Sequence, residues 1–190
     1  LTVDEAGPLL QRGGVLAYPA EAVWGLGCDP ENEDAVLRLL ELKQRPVDKG
    51  LILVAAHLDP LRRWLDLPAL APDRLAVVLA SWPGPHTWVM PAAADAPGWI
   101  TGGRDSIAVR ISDHPVVTAL CEAFGGALVS TSANRGGEPP AYTRAQLDPL
   151  LHEALDGLVA GETGGLYQPT PIRVARDGSV LRGCAARHPS

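Results

Sequence analysis

The chain has little from which to build a metal centre or a covalent catalytic site. Its three cysteines, Cys28, Cys121 and Cys184, are far apart and form no CxxC pair. That removes a zinc ribbon and a disulfide framework, and it suits a reducing cytosol. The five histidines, His57, His86, His114, His152 and His188, show neither HxxxH nor HExxH spacing. No zinc site built from protein ligands is expected, and each histidine reads as structural or superficial. There is no GxSxG elbow, no GxxxxGK[ST] loop and no GxGxxG fingerprint, which disfavours a serine hydrolase, a P-loop enzyme and a dinucleotide-binding fold. Aromatic residues make up only 5% of the chain. No apolar run approaches the roughly 20 residues of a membrane-spanning helix. No signal peptide is visible, and the chain begins at Leu1, not at a methionine. The formal charge of -6 argues against a protein that coats nucleic acid, while leaving room for a local basic surface.

What is present is ordinary in amount and unusual in placement. A chain of 190 residues, 46% hydrophobic and 20% charged, reads as one domain over residues 1–190, able to bury about 70% of its unfolded surface. Twenty glycines and eighteen prolines imply many loops. Val15–Tyr18 reads as a strand ended by Pro19, and Gly25–Pro30 as loop. Glu33–Lys43 has the apolar spacing of an amphipathic helix, with its acidic start at the positive end of the helix dipole. Further strands are expected at Leu51–Ala55, Thr87–Met90, Ser106–Ile111 and Ala127–Val129, with weaker ones near Leu158–Val159, Ile172–Val174 and Val180–Leu181. Helices are expected near Pro60–Leu65, Asp73–Ser81, from His114 (capped by Asp113) to Gly125, and around Thr143–Leu151. Strands alternate with helices, so the class is α/β with a twisted mixed sheet.

Four segments could carry chemistry. The stretch Lys43-Gln44-Arg45-Pro46-Val47-Asp48-Lys49 concentrates three cations in a loop before a buried strand. It is either a solvated loop or a phosphate clamp, with Arg45 as a bidentate fork and Lys43 and Lys49 as point charges. Ser130-Thr131-Ser132-Ala133-Asn134 follows a strand and is either a polar turn or a row of donors for a ligand beyond the strand's end. Arg110 ends an apolar strand, and a buried guanidinium needs an anion. That anion is either a structural Asp or Glu or the carboxylate of a ligand. Tyr18–Gly27 holds two glycines that permit close backbone approach, and by itself says no more.

In this order, the segments AYPAEAVWGLG, LKQRPVDKGLILV, WPGPHTWVMPA, SIAVRISDHP and STSANRGGEPP resemble the threonylcarbamoyl-AMP synthase family, the YrdC-type domain in its short, single-domain branch. The likeness covers Gly13 to Pro140, and GETGG, PTPIRV and LRG extend it to Gly183. It implies a YrdC-like α/β fold, a twisted mixed open sheet with flanking helices and a large concave cavity. It also implies an enzyme, a nucleotidyltransferase that makes threonylcarbamoyl-adenylate and pyrophosphate from L-threonine, bicarbonate and ATP. Mg²⁺ would come with the ATP, not from a protein metal site. The product would pass to a threonylcarbamoyl-transferase complex that modifies tRNA in the cytoplasm, with tRNA itself a further partner and no membrane involved. In these terms Lys43, Arg45, Lys49, Ser130, Ser132, Asn134 and Arg182 would bind ATP and its phosphates. Arg110, Ala20, Thr87 and Thr170 would line the threonine side. No side chain is required as a covalent nucleophile. The family usually has Thr where this chain has Ala20, which removes one hydroxyl beside the amino acid. Two other readings compete: a non-catalytic RNA-binding module of the same fold, against which the acidic charge counts, and a carbamoyl-transfer enzyme using carbamoyl phosphate, which belongs to much longer chains.

Overall fold

The computed structural model describes residues 1–182; Gly183, Cys184 and His188 lie outside the described residues. Among the described residues its sheet has nine strands in the order β7-β1-β2-β6-β3-β5-β4-β8-β9. These are β1 (Leu16–Pro19), β2 (Trp24–Gly27), β3 (Ile52–Ala55), β4 (Thr87–Pro91), β5 (Ser106–Ile111), β6 (Leu128–Ser132), β7 (Gly157–Leu158), β8 (Ile172–Val174) and β9 (Val180–Arg182). The pairs β1–β7, β3–β5 and β4–β8 are parallel and the others antiparallel, so the sheet is mixed and open, as the alternating pattern predicts. Seven helices flank it among the described residues: α1 (Val3–Gln11), α2 (Glu33–Lys43), α3 (Asp59–Arg62), α4 (Pro72–Ala80), α5 (Gly98–Thr101), α6 (Pro115–Phe124) and α7 (Pro149–Ala154).

Side-chain alternation along the strands sorts the apolar residues to two faces. On β3, Leu53 and Ala55 join the larger cluster with α2 residues Val36, Leu39 and Leu40, and with Val109 and Ile111 of β5. Val54 points the other way, into a smaller cluster with Leu16, Tyr18, Leu128, and Leu10, Val117 and Leu120 from α1 and α6. The register aligns Val54 with Leu128 and Arg110, and Ile52 with Ser130 and Ala108. The helices therefore pack the row of Val54 and Leu128, while Ile52, Ser130 and Ala108 on the same face are left to form the floor of a cavity.

Several elements differ from the expectations. α1 was not anticipated: Pro8 sits inside it and breaks the apolar pattern, but a Thr2–Glu5 capping box starts it and Ala6 and Leu10 bury one face. Gly25–Gly27 belongs to β2, not to a loop. A Cβ on Gly27 would stand 2.5 Å from the Val129 carbonyl oxygen and 2.7 Å from the Tyr18 ring, so glycine lets the strand lie under that ring. α6 is capped by the backbone at His114 with no side-chain contribution from Asp113. The segment read as one helix over Thr143–Leu151 is a 3₁₀ turn, Arg144–Gln146, followed by α7, because Pro149 starts a new first turn.

Gly27→Ala is expected to destabilise the fold by about 1–3 kcal/mol through overpacking against Tyr18 and Val129. Chemical denaturation checks it, and an unchanged midpoint would show that the contact relaxes freely.

Candidate functional site

The cavity has a volume of about 600 Å³. Its floor is the row of Ser106, Ala108 and Arg110 on β5, with Ile52 of β3 and Ser130 and Ser132 of β6. Loops build the walls: Arg45–Gly50, Arg104, the β1–β2 turn at Ala20–Val23, and Pro169–Thr170 with Arg182.

The cationic loop follows from the way α2 ends. Gln44 takes a left-handed φ of 53°, and Pro46 cannot continue the helix. The chain turns through a 3₁₀ turn at Val47–Lys49, and the Leu51 N–H donates to Ile100 O at 2.9 Å. Arg45 is half-buried, its Nη2 donating to Gly50 O at 3.0 Å, and its buried Nε has no hydrogen-bond partner. Burial holds its pKa below the ordinary value. Lys49 is exposed on the rim.

Lys43 departs from the sequence picture. Its Nζ donates to the Ser132 carbonyl and, at 2.7 Å, to Asn134 O. It is buried and is not among the residues that line the cavity. Burial, and then the Arg45 charge, lower its pKa to about 8. The ammonium ties the end of α2 to the serine turn, one layer behind the wall. Within that turn the Asn134 amide nitrogen donates to Arg135 O at 3.1 Å and to Glu138 O at 2.7 Å, while its buried Oδ1 has no partner.

The other end of the cavity is organised by Arg110. Its side chain is 6% exposed, and its Nε lies 3.2 Å from Glu21 Oε1 in a charge contact without hydrogen-bond alignment. Its Nη1 donates to Thr87 Oγ1 at 3.1 Å and to Thr170 Oγ1 at 3.2 Å. Glu21 also accepts from Ser112 Oγ at 2.6 Å, and the His114 N–H donates to Ser112 Oγ at 3.1 Å. Burial raises the Glu21 carboxyl, but the Arg110 charge and the Ser112 hydrogen bond outweigh it, and the net shift is downward. Arg182 donates from Nε and Nη2 to Thr170 O at 3.1 and 2.8 Å. Burial lowers its pKa, and the Arg110 and Arg45 charges lower it further.

The cavity wall thus brings together Arg45, Lys49, Ser130, Ser132, Asn134, Arg110, Ala20, Thr170 and Arg182. Two predicted lining residues stand behind it: Lys43, and Thr87, whose hydroxyl is spent on Arg110. The register also separates the groups. Lys49 precedes Ile52, and Ser132 and Asn134 follow Ser130, so all lie towards one end of the floor. Arg110 occupies the other. Sequence reasoning missed Glu21, Ser112 and Arg104. The available signal for Glu21 was the demand of a buried strand arginine for a carboxylate. Its location within a segment noted only for glycines hid it.

The protein-family model described as telomere recombination, which joins Sua5, YciO and YrdC, matches residues 8–183. A threonylcarbamoyl-AMP synthase of Xanthomonas campestris pv. campestris (strain B100) is 64% identical over 180 residues, 95% of this chain and 96% of that protein. A threonylcarbamoyl-AMP synthase of Xanthomonas oryzae pv. oryzae (strain PXO99A) is 63% identical over 182 residues, 96% of this chain and 97% of that protein. Among solved structures, P. abyssi Sua5 complexed with L-threonine superposes with a TM-score of 0.83 at 28% identity, covering 90% of this chain. The chain spans about half of that protein, 50% of its length. E. coli YciO shares the fold at a TM-score of 0.79 and 23% identity, covering 95% of this chain and 87% of that one.

The downward shift of Glu21 has a definite sign. Its contribution to stability is complete above the unfolded value of about 4.5 and fades as the pH falls through the lower folded value. Glu21→Gln is expected to cost about 3–5 kcal/mol at pH 7 by leaving Arg110 buried without its counter-charge. It should also lose part of the acid sensitivity between about pH 5 and pH 3. Urea denaturation at both pH values measures this, and identical pH dependence in the two proteins would remove the pair as an energetic unit.

Proposed function

The chain belongs to the Sua5/YciO/YrdC family, and from that premise we propose that it is a threonylcarbamoyl-AMP synthase, an enzyme that joins L-threonine, bicarbonate and ATP into threonylcarbamoyl-adenylate and pyrophosphate. One observation carries this reading: a single cavity offers phosphate-type donors towards one end of its floor and a pre-oriented guanidinium at the other. The chemistry needs that division. Threonine's amine and bicarbonate condense to a carbamate, releasing water. A carbamate oxygen then attacks the α-phosphorus, and the bond to the β-phosphate breaks as pyrophosphate leaves. Such transfers are accelerated mainly by positioning and charge stabilisation.

In this mechanism Arg110 holds the threonine carboxylate. Glu21, Thr87 and Thr170 fix the guanidinium before substrate arrives, so no reorganisation is needed on binding. Arg45 and Lys49 neutralise the phosphates, and Arg182 spans the gap between nucleotide and amino acid. Ser130 and Ser132 donate to phosphate and nucleotide, and the unpartnered Asn134 Oδ1 accepts from the nucleotide. Lys43 keeps the serine turn in register and places its charge behind it. Ala20 leaves the amino acid's hydroxyl to a water or a neighbouring group. Mg²⁺ would come with the ATP phosphates. Glu21 is the one carboxylate lining the cavity among the described residues, and Arg110 and Ser112 already engage it. The product then passes to a transferase complex acting on tRNA, and the setting is cytoplasmic. No helix among the described residues is long and apolar enough to cross a membrane.

Pyrophosphate release is expected only when ATP, bicarbonate and L-threonine are all present. Release that ignores threonine overturns the reading, and salt-sensitive tRNA binding without release would replace it with an RNA-binding module. Arg45→Ala and Lys49→Ala should each lower the rate at least about tenfold in folded protein, since each removes a charge-assisted contact. The Lys43 charge is lost as the pH rises through about 8. kcat/KM for ATP should therefore fall on that alkaline limb, and Lys43→Met should lack the limb.

A further inference from the structure

The mouth of the cavity carries one strong base that the mechanism above does not use. Arg104 lies on the turn between α5 and β5, exposed, and lines the cavity. Among the described residues no carboxylate lies within ion-pair distance of it, and its side chain makes no hydrogen bond. The local backbone is built to place it there. Gly102 and Gly103 have φ values of 68° and 79°, left-handed conformations that favour glycine. The Gly103 N–H donates to Thr101 Oγ1 at 3.2 Å and closes the turn. A Cβ on Gly102 would stand 2.6 Å from Asp48 O, 2.8 Å from Gly50 N and 2.7 Å from Arg104 Nη1. The bare backbone therefore lets this turn press against the loop that carries Lys49, with the guanidinium folded over the contact.

Position on the sheet then says which part of a ligand Arg104 meets. β5 runs from Ser106 near the mouth to Arg110, and the same-face residues Ser106, Ala108 and Arg110 pave the floor. At about 3.3 Å per residue, the floor between Ser106 and Arg110 is about 13 Å long. An amino acid on Arg110 sets the reacting phosphorus along that floor, and the remaining phosphates extend towards Lys49 and Arg104. Lys49 and Arg104 are both exposed, and among the described residues neither has an ion-pair partner, which fits a polyanion whose far end stays close to water.

We infer that Arg104 binds the terminal phosphates of the nucleotide, the part that leaves as pyrophosphate, and so makes the site select a triphosphate over a monophosphate. The inference rests on the adenylation reading and adds to it a selectivity residue outside the Lys43–Lys49 loop. Arg104→Ala and Arg104→Lys test it by calorimetric titration with ATP and with AMP, in Mg²⁺ and without threonine. Arg104→Ala is expected to weaken ATP binding about tenfold and to change AMP binding less than about twofold, because AMP lacks the phosphates concerned. Arg104→Lys should recover part of the loss, since it keeps the charge without the fork. Equal losses for ATP and AMP, no loss for either, or a wild-type protein that does not prefer ATP over AMP would overturn it. The two readings fail separately. Wild-type protein that shows the Arg104-dependent preference but releases no pyrophosphate with all three substrates keeps this inference and loses the synthase. Intact release with wild-type ATP affinity in Arg104→Ala does the reverse.

Discussion

The constraint on which the site depends is the need to hold several cations close together before any anion arrives. Among the described residues, Arg45, Lys49, Arg104, Arg110 and Arg182 line one cavity with a single carboxylate, Glu21. Two like charges about 8 Å apart repel by about 2 kcal/mol at an effective dielectric constant of 20. Acidic side chains would relieve that repulsion and would also cancel the field a polyanion needs. The fold uses backbone carbonyls instead. Gly50 O holds Arg45, Thr170 O holds Arg182, and Ser132 O and Asn134 O hold Lys43. A carbonyl dipole orients a cation and lowers its energy without neutralising it, so the charge remains for the ligand. Among the described residues only Arg110, the deepest of these cations, has a full counter-charge.

That exception follows from burial. A guanidinium at the back of the cavity cannot borrow water, and leaving it unpaired costs several kcal/mol. Glu21 reaches it from the β1–β2 turn, although β6 and β3 separate β2 from β5 in the sheet. The contact requires the sheet to curl so that the turn faces β5 across the cavity, and strand twist supplies such curvature. The glycines of β2 belong to the same arrangement, since Gly27 lets Tyr18 lie flat over the strand. Cavity shape, strand glycines and the buried Arg110–Glu21 ion pair are aspects of a single curvature.

Much of this could be read from the residues, and the failures have physical causes. Helix Glu33–Lys43 was legible to its ends because apolar spacing and an acidic first turn agree, and the structure adds an Asn32 cap. Strands Thr87–Pro91 and Ser106–Ile111 were legible because apolar runs end at Pro or at a charge. β2 was not, since glycines signal loops unless the neighbouring ring that excludes a side chain is known. The clustering of Arg45 and Lys49 with Ser130–Asn134 was foreseeable only through family likeness, because some 80 residues separate them and local pattern carries no information on that contact. Lys43 was placed in the right neighbourhood but not its direction. A lysine in the last turn of a helix can face a cavity or cap carbonyls, and spacing does not distinguish the two.

The charge distribution has a final consequence for which anions enter. The chain as a whole carries -6, while the cavity wall is strongly positive. Beyond a Debye length of about 8 Å at physiological salt, an approaching ion feels little of either. Inside that distance the two fields act on ligands of different size. A nucleotide is small enough to pass between walls where low-dielectric surroundings strengthen the attraction of the inner cations. A nucleic acid spans far more of the surface and meets the net negative charge of the chain along most of its length. Lys49 and Arg104 are among the lining cations that are exposed, so such a polymer could touch them. With a triphosphate bound, those same two charges are occupied. Nucleotide and nucleic acid would then compete for the mouth, and the small ligand, drawn by the deeper cations as well, holds the advantage.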